Sequence, residues 1–290
     1  MYSEKLFMNI YYLYNSGFSV EIGEDALIFD YYKGGLRKPW RAPLAKKPDA
    51  YRGVYVFASH IHGDHYNPAI FDWLAERGDI HYILSGDIRP AVPAKILSAA
   101  TGANNGVMAA VINGAVPNVK NGAASAAKKD AATYAENGAS FTLTFLNEGG
   151  RARAGSLDVT AYGSTDAGVS FHVLADSGAS VFHAGDLNFW HWRDESTEAE
   201  IAEADAAFTD ALAKIHKGVA MLDAAFFPVD PRQGSEYYRG AVRFCEAMRP
   251  ALLIPMHFSS KFEPPQAFYA EISPYAKVIH AGPRAGRLII

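Results

Sequence analysis

The chain has 290 residues, with 27 Lys and Arg against 31 Asp and Glu and a formal charge of -4. At 49% hydrophobic and 20% charged residues, it has the composition of a folded globular protein and exerts no general attraction on nucleic acid. One cysteine, Cys245, rules out an intrachain disulfide and fits a reducing compartment. The start of the chain, where Glu4 and Lys5 precede polar residues among aromatics, does not read as a signal peptide. Residues 96–119 lack charges but are too rich in Gly, Asn and Ser for a spanning helix. The expectation is a soluble, cytoplasmic protein with no membrane or nucleic-acid partner.

In chain order, Met8–Leu13, Phe18–Ile22 and Ala26–Tyr31 read as a meander, separated by Asn15-Ser16-Gly17 and Gly23-Glu24-Asp25. Residues 33–50 are basic and proline-containing, an expected exposed loop. An apolar strand, Val54–Ala58, precedes a helix starting at Asn67-Pro68, with Ile70, Phe71 and Leu74 in register and Gly78 as its stop. A short strand follows at His81–Leu84. Residues 98–140, rich in Ala, Gly, Asn and Ser, predict an irregular or partly helical insertion, a flap or an oligomer contact. Strand patterns resume at Phe141–Leu146, Leu157–Tyr162, Val169–Ala175 and Ser180–His183. Glu195–Lys217 predicts a helix with a Thr197/Glu200 capping box and an apolar face of Ile201, Ala204, Phe208, Leu212 and Ile215. Strand Ala220–Phe227, helix Glu236–Met248 with Cys245 on its buried face, strand Ala251–Met256, a short helix at Gln266–Glu271 and a final strand pair complete the chain.

The chemistry concentrates in Ser59-His60-Ile61-His62-Gly63-Asp64-His65, at the end of a strand. Three imidazoles and a carboxylate at this spacing are ligands for one or two zinc-like ions. His60 and His62, two apart, point the same way on an extended segment. Gly63 is expected to turn the backbone so that Asp64 and His65 face a neighbouring position. Six residues cannot close a metal site, and two other strand ends carry ligand types. Asp186, after Ser180–His183 and Gly185, has two oxygens to bridge two cations, and His257 follows Leu252–Met256.

His60-x-His62-x-Asp64-His65, Gly185-Asp186 and His257 together resemble the metallo-β-lactamase superfamily, from about residue 8 to the C-terminus. The resemblance implies one domain over 1–290, an α/β fold, as a four-layer αβ/βα sandwich of two mixed β-sheets flanked by helices. Its compact size is most like the lactonase-like and generic hydrolase branch. It assigns Asp30 as a brace of the metal loop, Asp186 as the bridging carboxylate and Asp64 as a ligand able to accept a proton in catalysis. One departure stands out: Ser164 occupies the position of an expected histidine. Asp166 then supplies a replacement oxygen ligand or merely caps the turn, water fills the gap, or only Asp64, His65, Asp186 and His257 hold an ion. Oxygen in place of nitrogen widens the choice from zinc towards manganese or iron.

These readings predict metal-assisted hydrolysis of an ester, lactone, amide or phosphodiester in a small, anionic substrate. Trp190 and Trp192 either wall the pocket or pack the next helix, with His191 between them. Lys261, with Ser259 and Ser260, is a candidate anion contact. A nuclease needs a basic track beyond Arg37, Lys38, Arg41, Lys46 and Lys47, and a member that binds metal or ligand without catalysis is the other alternative.

Overall fold

A computed structural model describes residues 8–33, 41–102, 140–258, 264–280 and 287–289. The predicted meander forms as β1 (Met8–Tyr14), β2 (Gly17–Ile22) and β3 (Asp25–Phe29), all antiparallel. β4 (Gly53–Ala58), β5 (His81–Ser85) and β6 (Thr142–Leu146) extend the same sheet in parallel. The second sheet repeats this pattern. β7 (Arg151–Ala154), β8 (Leu157–Gly163), β9 (Val169–Ala175) and β10 (Ser180–His183) are antiparallel. β11 (Ala224–Pro228), β12 (Leu252–Met256) and β13 (Lys277–Val278) then follow β10 in parallel. β14 (Arg287–Ile289) crosses back to pair with β1, so each mixed sheet has seven strands among the described residues.

Burial on both faces of the central strands dictates the layering. In β4, Tyr55 and Phe57 enter the larger core, while Val54, Val56 and Ala58 enter a second core on the opposite face. Leu27 and Phe29 against Ala26 and Ile28 repeat this in β3. The period-2 alternation therefore separates two apolar surfaces instead of apolar from polar. Between the sheets, Phe18 lies 4.5 Å from Phe226, and Phe57 packs edge-on to Phe171 at 5.4 Å. Each ring buried this way stabilises the fold by about 1.5–3 kcal/mol.

Helices cover the outer faces. Over the first sheet lie a 3-10 helix, Pro68–Ala75, which buries Phe71 and Trp73, and α1 (Ala94–Gly102) with Ile96. Over the second lie α2 (Glu198–Gly218), α3 (Arg239–Met248) and α4 (Gln266–Ile272). Thr197 and Glu200 form the predicted capping box, and Ile201, Phe208, Leu212 and Ile215 are buried. Cys245 is fully buried on α3, and burial pushes its thiol pKa up. No helix among the described residues is long and apolar enough to cross a membrane.

Several expectations change. The helix after Asn67 is 3-10, and the Tyr82 hydroxyl donates to its Ile70 carbonyl at 3.0 Å. The final strands do not pair with each other but close different sheets. Ala42 and Leu44, in the expected exposed loop, are buried in the second core. Of the 98–140 insertion, residues 98–102 end α1, and 103–139 lie outside the described residues.

Candidate metal centre

The carboxyl ends of the parallel strands meet at one edge, which is where α/β sheets place ligands. β3 delivers Asp30, β4 the 59–65 loop, β10 Asp186 and β12 His257. Backbone bonds from His65 N and Tyr66 N to the His62 carbonyl, 3.0 and 2.9 Å, close the loop. Gly63 is not among the residues with positive φ, and a Cβ there would meet open space, so its expected role in the turn falls away. Glycine is required at 185 instead. That residue has φ 55°, and a Cβ there would lie 2.7 Å from Ser59 Cβ. Gly168, at φ 67°, has no room either, because a Cβ would collide with the Ser59 carbonyl and His60.

Asp186 divides its carboxylate. Oδ2 lies 3.3 Å from His60 Nε2, whereas Oδ1 lies 3.1 Å from His65 Nε2 and 3.3 Å from His257 Nε2. Asp64 Oδ2 is 3.6 Å from both His65 Nε2 and His257 Nε2, and His62 Nδ1 is 3.1 Å from His60 Nε2. Three groups could each hold an ion: His60, His65 and Asp186; Asp64, His65 and His257; His62, Asp166 and Asp186. All six predicted ligands thus converge, and Asp166 joins them.

His65 Nε2 and Asp186 Oδ1 are buried without a hydrogen-bond partner. Only their attraction to each other at 3.1 Å offsets the desolvation of the two groups. Their placement, among nitrogens and carboxylate oxygens only, is what a divalent cation fits.

The outward nitrogens are held by a second set of residues. Asp30, fully buried, accepts from His65 Nδ1 at 2.7 Å, from Ser59 Oγ at 2.7 Å and from Ser59 N at 2.7 Å. Ser59 Oγ in turn accepts from His60 Nδ1 at 3.0 Å. His257 Nδ1 donates to the buried Asp230 at 3.0 Å, and Asn15 Nδ2 donates to Asp64 at 3.1 Å. These bonds aim each Nε2 inward. Ser59, Asn15 and Asp230 were missed from sequence, although Asp230 stands just beyond the end of β11, the placement that singled out Asp186 and His257. Among the described residues, four of the six non-glycine residues with positive φ, Asn15, Asp30, Trp192 and His257, lie around this centre. Each such backbone costs about 1–3 kcal/mol and persists where its surroundings over-determine it.

Burial opposes ionisation of Asp186, but His60 and His65 outweigh it and hold its carboxyl well below the usual range. Contact with His257 likewise lowers Asp64. Burial alone would lower His65 and His257. The Asp186 and Asp30 carboxylates raise His65 to about 10, and those of Asp230 and Asp64 raise His257 to about 9.

The ligands open on a cavity of about 430 Å³ lined by His62, Asp64, Thr165, Asp166, Asp186, Trp190, Trp192, Arg232 and His257. Trp190 and Trp192 are therefore wall residues, stacked 6.2 Å apart. Trp190 Nε1 also donates to the Asp186 carbonyl at 2.8 Å. His191 is not on the wall: it is buried, its Nε2 donates to the Glu236 carbonyl at 3.2 Å and its Nδ1 accepts from Arg193 N at 3.1 Å. Ser164 Oγ accepts from Asp166 N at 3.2 Å and shapes the turn that presents Asp166. Lys261, Ser259 and Ser260 lie outside the described residues.

Fold and site together define a metallo-hydrolase-type αβ/βα sandwich. The chain matches the family described as Beta-lactamase superfamily domain over residues 25–258, and it belongs to that metallo-β-lactamase superfamily. No curated protein matches it in sequence. Among solved structures it is similar to Igni18, a metallo hydrolase from the archaeon Ignicoccus hospitalis. That match has 16% identity and a TM-score of 0.55, covering 98% of each chain. The metallo-β-lactamase fold protein YhfI from Bacillus subtilis matches with 12% identity, a TM-score of 0.55, and 99% of this chain and 100% of that one. CmlA, a diiron β-hydroxylase from Streptomyces venezuelae, matches with 9% identity and a TM-score of 0.51, covering 99% of this chain and 54% of CmlA.

Proposed function

We propose that the chain is a metal-dependent hydrolase acting on an ester, lactone, amide or phosphodiester bond of a small molecule. The observation that carries this reading is the divided Asp186 carboxylate, one oxygen towards His60 and the other towards His65 and His257. It supports two ion positions sharing Asp186, one completed by His60, His62 and Asp166, the other by Asp64, His65 and His257. Bound there, divalent ions lower the pKa of a water to about 7 and polarise a carbonyl or phosphoryl oxygen.

The protein's own groups supply the rest. Asp30 and Asp230 keep the His65 and His257 rings aimed inward. Asp64, the partly exposed candidate ligand, is held ionised by His257 and would take up a proton only once a bound ion keeps His257 neutral. The tryptophan wall shields one side of the reacting group from water. Each position offers two imidazoles and two carboxylates, a mixed nitrogen and oxygen set that suits zinc and makes manganese or iron acceptable. The cavity holds a small substrate, and Arg232 is the single Arg or Lys lining it among the described residues, which supports a small molecule over a nucleic-acid strand.

The test is a panel of chromogenic esters, lactones, amides and phosphodiesters, run before and after chelation and after metal is restored. Turnover should vanish and return with the metal. His62→Ala and His257→Ala should lose both metal and activity. Turnover that survives chelation, or these substitutions, would refute the reading.

A further inference from the structure

Arg232 stands at the mouth of the metal cavity and is not a metal ligand. Its Nε donates to both oxygens of Asp230, at 3.0 and 2.9 Å, and Nη2 donates to Oδ2 at 2.6 Å. Asp230 is 1% exposed, yet the Arg232 side chain is 68% exposed. One edge of the guanidinium is thus clamped by a buried carboxylate. Among the described residues Nη1 makes no hydrogen bond, so the outer edge of the fork is open, and Arg232 lines the cavity. A clamped guanidinium has little rotamer freedom left to lose and offers two parallel donors that match a carboxylate or phosphate. Nη2 lies 3.5 Å from His257 Nδ1, so the fork sits about one imidazole ring away from the ion positions.

The opposite requirement, a surface for the substrate body, is met by Trp190 and Trp192. Their rings are nearly parallel, 17° apart, and both line the cavity. Trp192 is held at φ 38°, a left-handed conformation that a bulky residue adopts only where its surroundings impose it. Trp190 is pinned by its bond to the Asp186 carbonyl and packs edge-on to His257 at 5.8 Å. The other cavity charges, Asp64, Asp166 and Asp186, are carboxylates placed to face ions.

We propose that Arg232 and the Trp190–Trp192 wall form a recognition subsite for a second oxyanion, a carboxylate or phosphate, carried on a flat ring next to the bond that is hydrolysed. This inference rests on the metal-dependent reading above and names the substrate class for it. Arg232 is a specificity-determining contact in it, and the ring stacks on the wall.

Calorimetric titration of zinc-loaded protein tests this without turnover. The probes are benzoate, with one carboxylate for the metal, and isophthalate and 3-phosphonobenzoate, which add a second carboxylate or a phosphonate. We expect at least one of the two doubly charged probes to bind about tenfold tighter than benzoate, and the stronger of them identifies the preferred anion. Arg232→Gln should bring that ratio close to one while benzoate affinity and zinc content stay unchanged. Arg232→Lys should retain part of the ratio. Trp192→Leu should weaken all three probes alike. A ratio near one in the unaltered protein, or a ratio that survives Arg232→Gln, would overturn the proposal. So would loss of zinc from both Arg232 variants, because Arg232 would then serve only the Asp230–His257 brace. A protein that keeps zinc and the ratio but hydrolyses nothing would refute the hydrolase reading alone.

Discussion

At the scale of single residues, the centre is a set of nitrogens and oxygens whose charges are matched only in part within the protein. His65 and His257, raised to about 10 and about 9, carry protons at neutral pH when no ion is bound. A ligating imidazole must be neutral. Zinc uptake at pH 7 should therefore release about two protons, and apparent affinity should rise steeply with pH until about 9. Calorimetry in buffers of different ionisation enthalpy reads that number directly, and zero protons would contradict the geometry. Asp230→Asn keeps shape and a hydrogen-bond acceptor for His257 but removes the charge. It should weaken metal binding about 10–100-fold, the usual effect of losing a carboxylate behind a ligating histidine. Asp166→Asn tests whether Asp166 takes the place of the histidine expected at position 164. Elemental analysis should show the ion at the His62 position lost while the one near His257 stays. Two ions retained would make Asp166 a turn residue.

At the scale of elements, strand ends were legible and their exact partners were not. β9 and β10 match their sequence-predicted ranges, because apolar and β-branched residues at Val169–Ala175 and Ser180–His183 are bounded by glycine and turn residues. β7 escaped notice since Arg-Ala-Arg-Ala carries neither β-branched nor aromatic residues. It forms because β8 offers a pairing edge, with Arg151 opposite Thr160. The helix expected after Asn67 is 3-10, with Tyr82 of β5 bonded to its Ile70 carbonyl. His191 drew attention through its neighbours, and only tertiary contacts reveal that both its nitrogens are occupied elsewhere. β4 carries the metal loop, and Phe57 anchors it by stacking on Phe29 at 4.6 Å. Phe57→Ala should cost about 3–5 kcal/mol in denaturant unfolding. A loss below 1 kcal/mol would mean that the space between the sheets collapses without it.

At the scale of the whole molecule, two sheets with the same order of antiparallel then parallel strands bring their carboxyl ends to a common edge. That explains why ligands separated by nearly two hundred positions, from His60 to His257, meet within hydrogen-bonding distances. The convergence of the six candidate ligands was legible from motif and strand-end position, because a cluster of imidazoles has few other uses. Asp230, Ser59 and Asn15 were not, since a single Asp, Ser or Asn at a strand end has many ordinary roles as a cap or turn residue. The ligand set spans both sheets, so an ion bound to it ties them together. At a metal concentration a thousandfold above Kd, the folded state should gain about 4 kcal/mol, seen as a lower melting temperature after chelation.

The most direct test is the metal content of the purified protein per chain, measured by elemental analysis beside that of His257→Ala. The account predicts one or two divalent ions per chain, reduced in the variant. A protein that folds fully yet retains no ion after incubation with zinc, manganese or iron, or a variant that binds as much as the original, would contradict it.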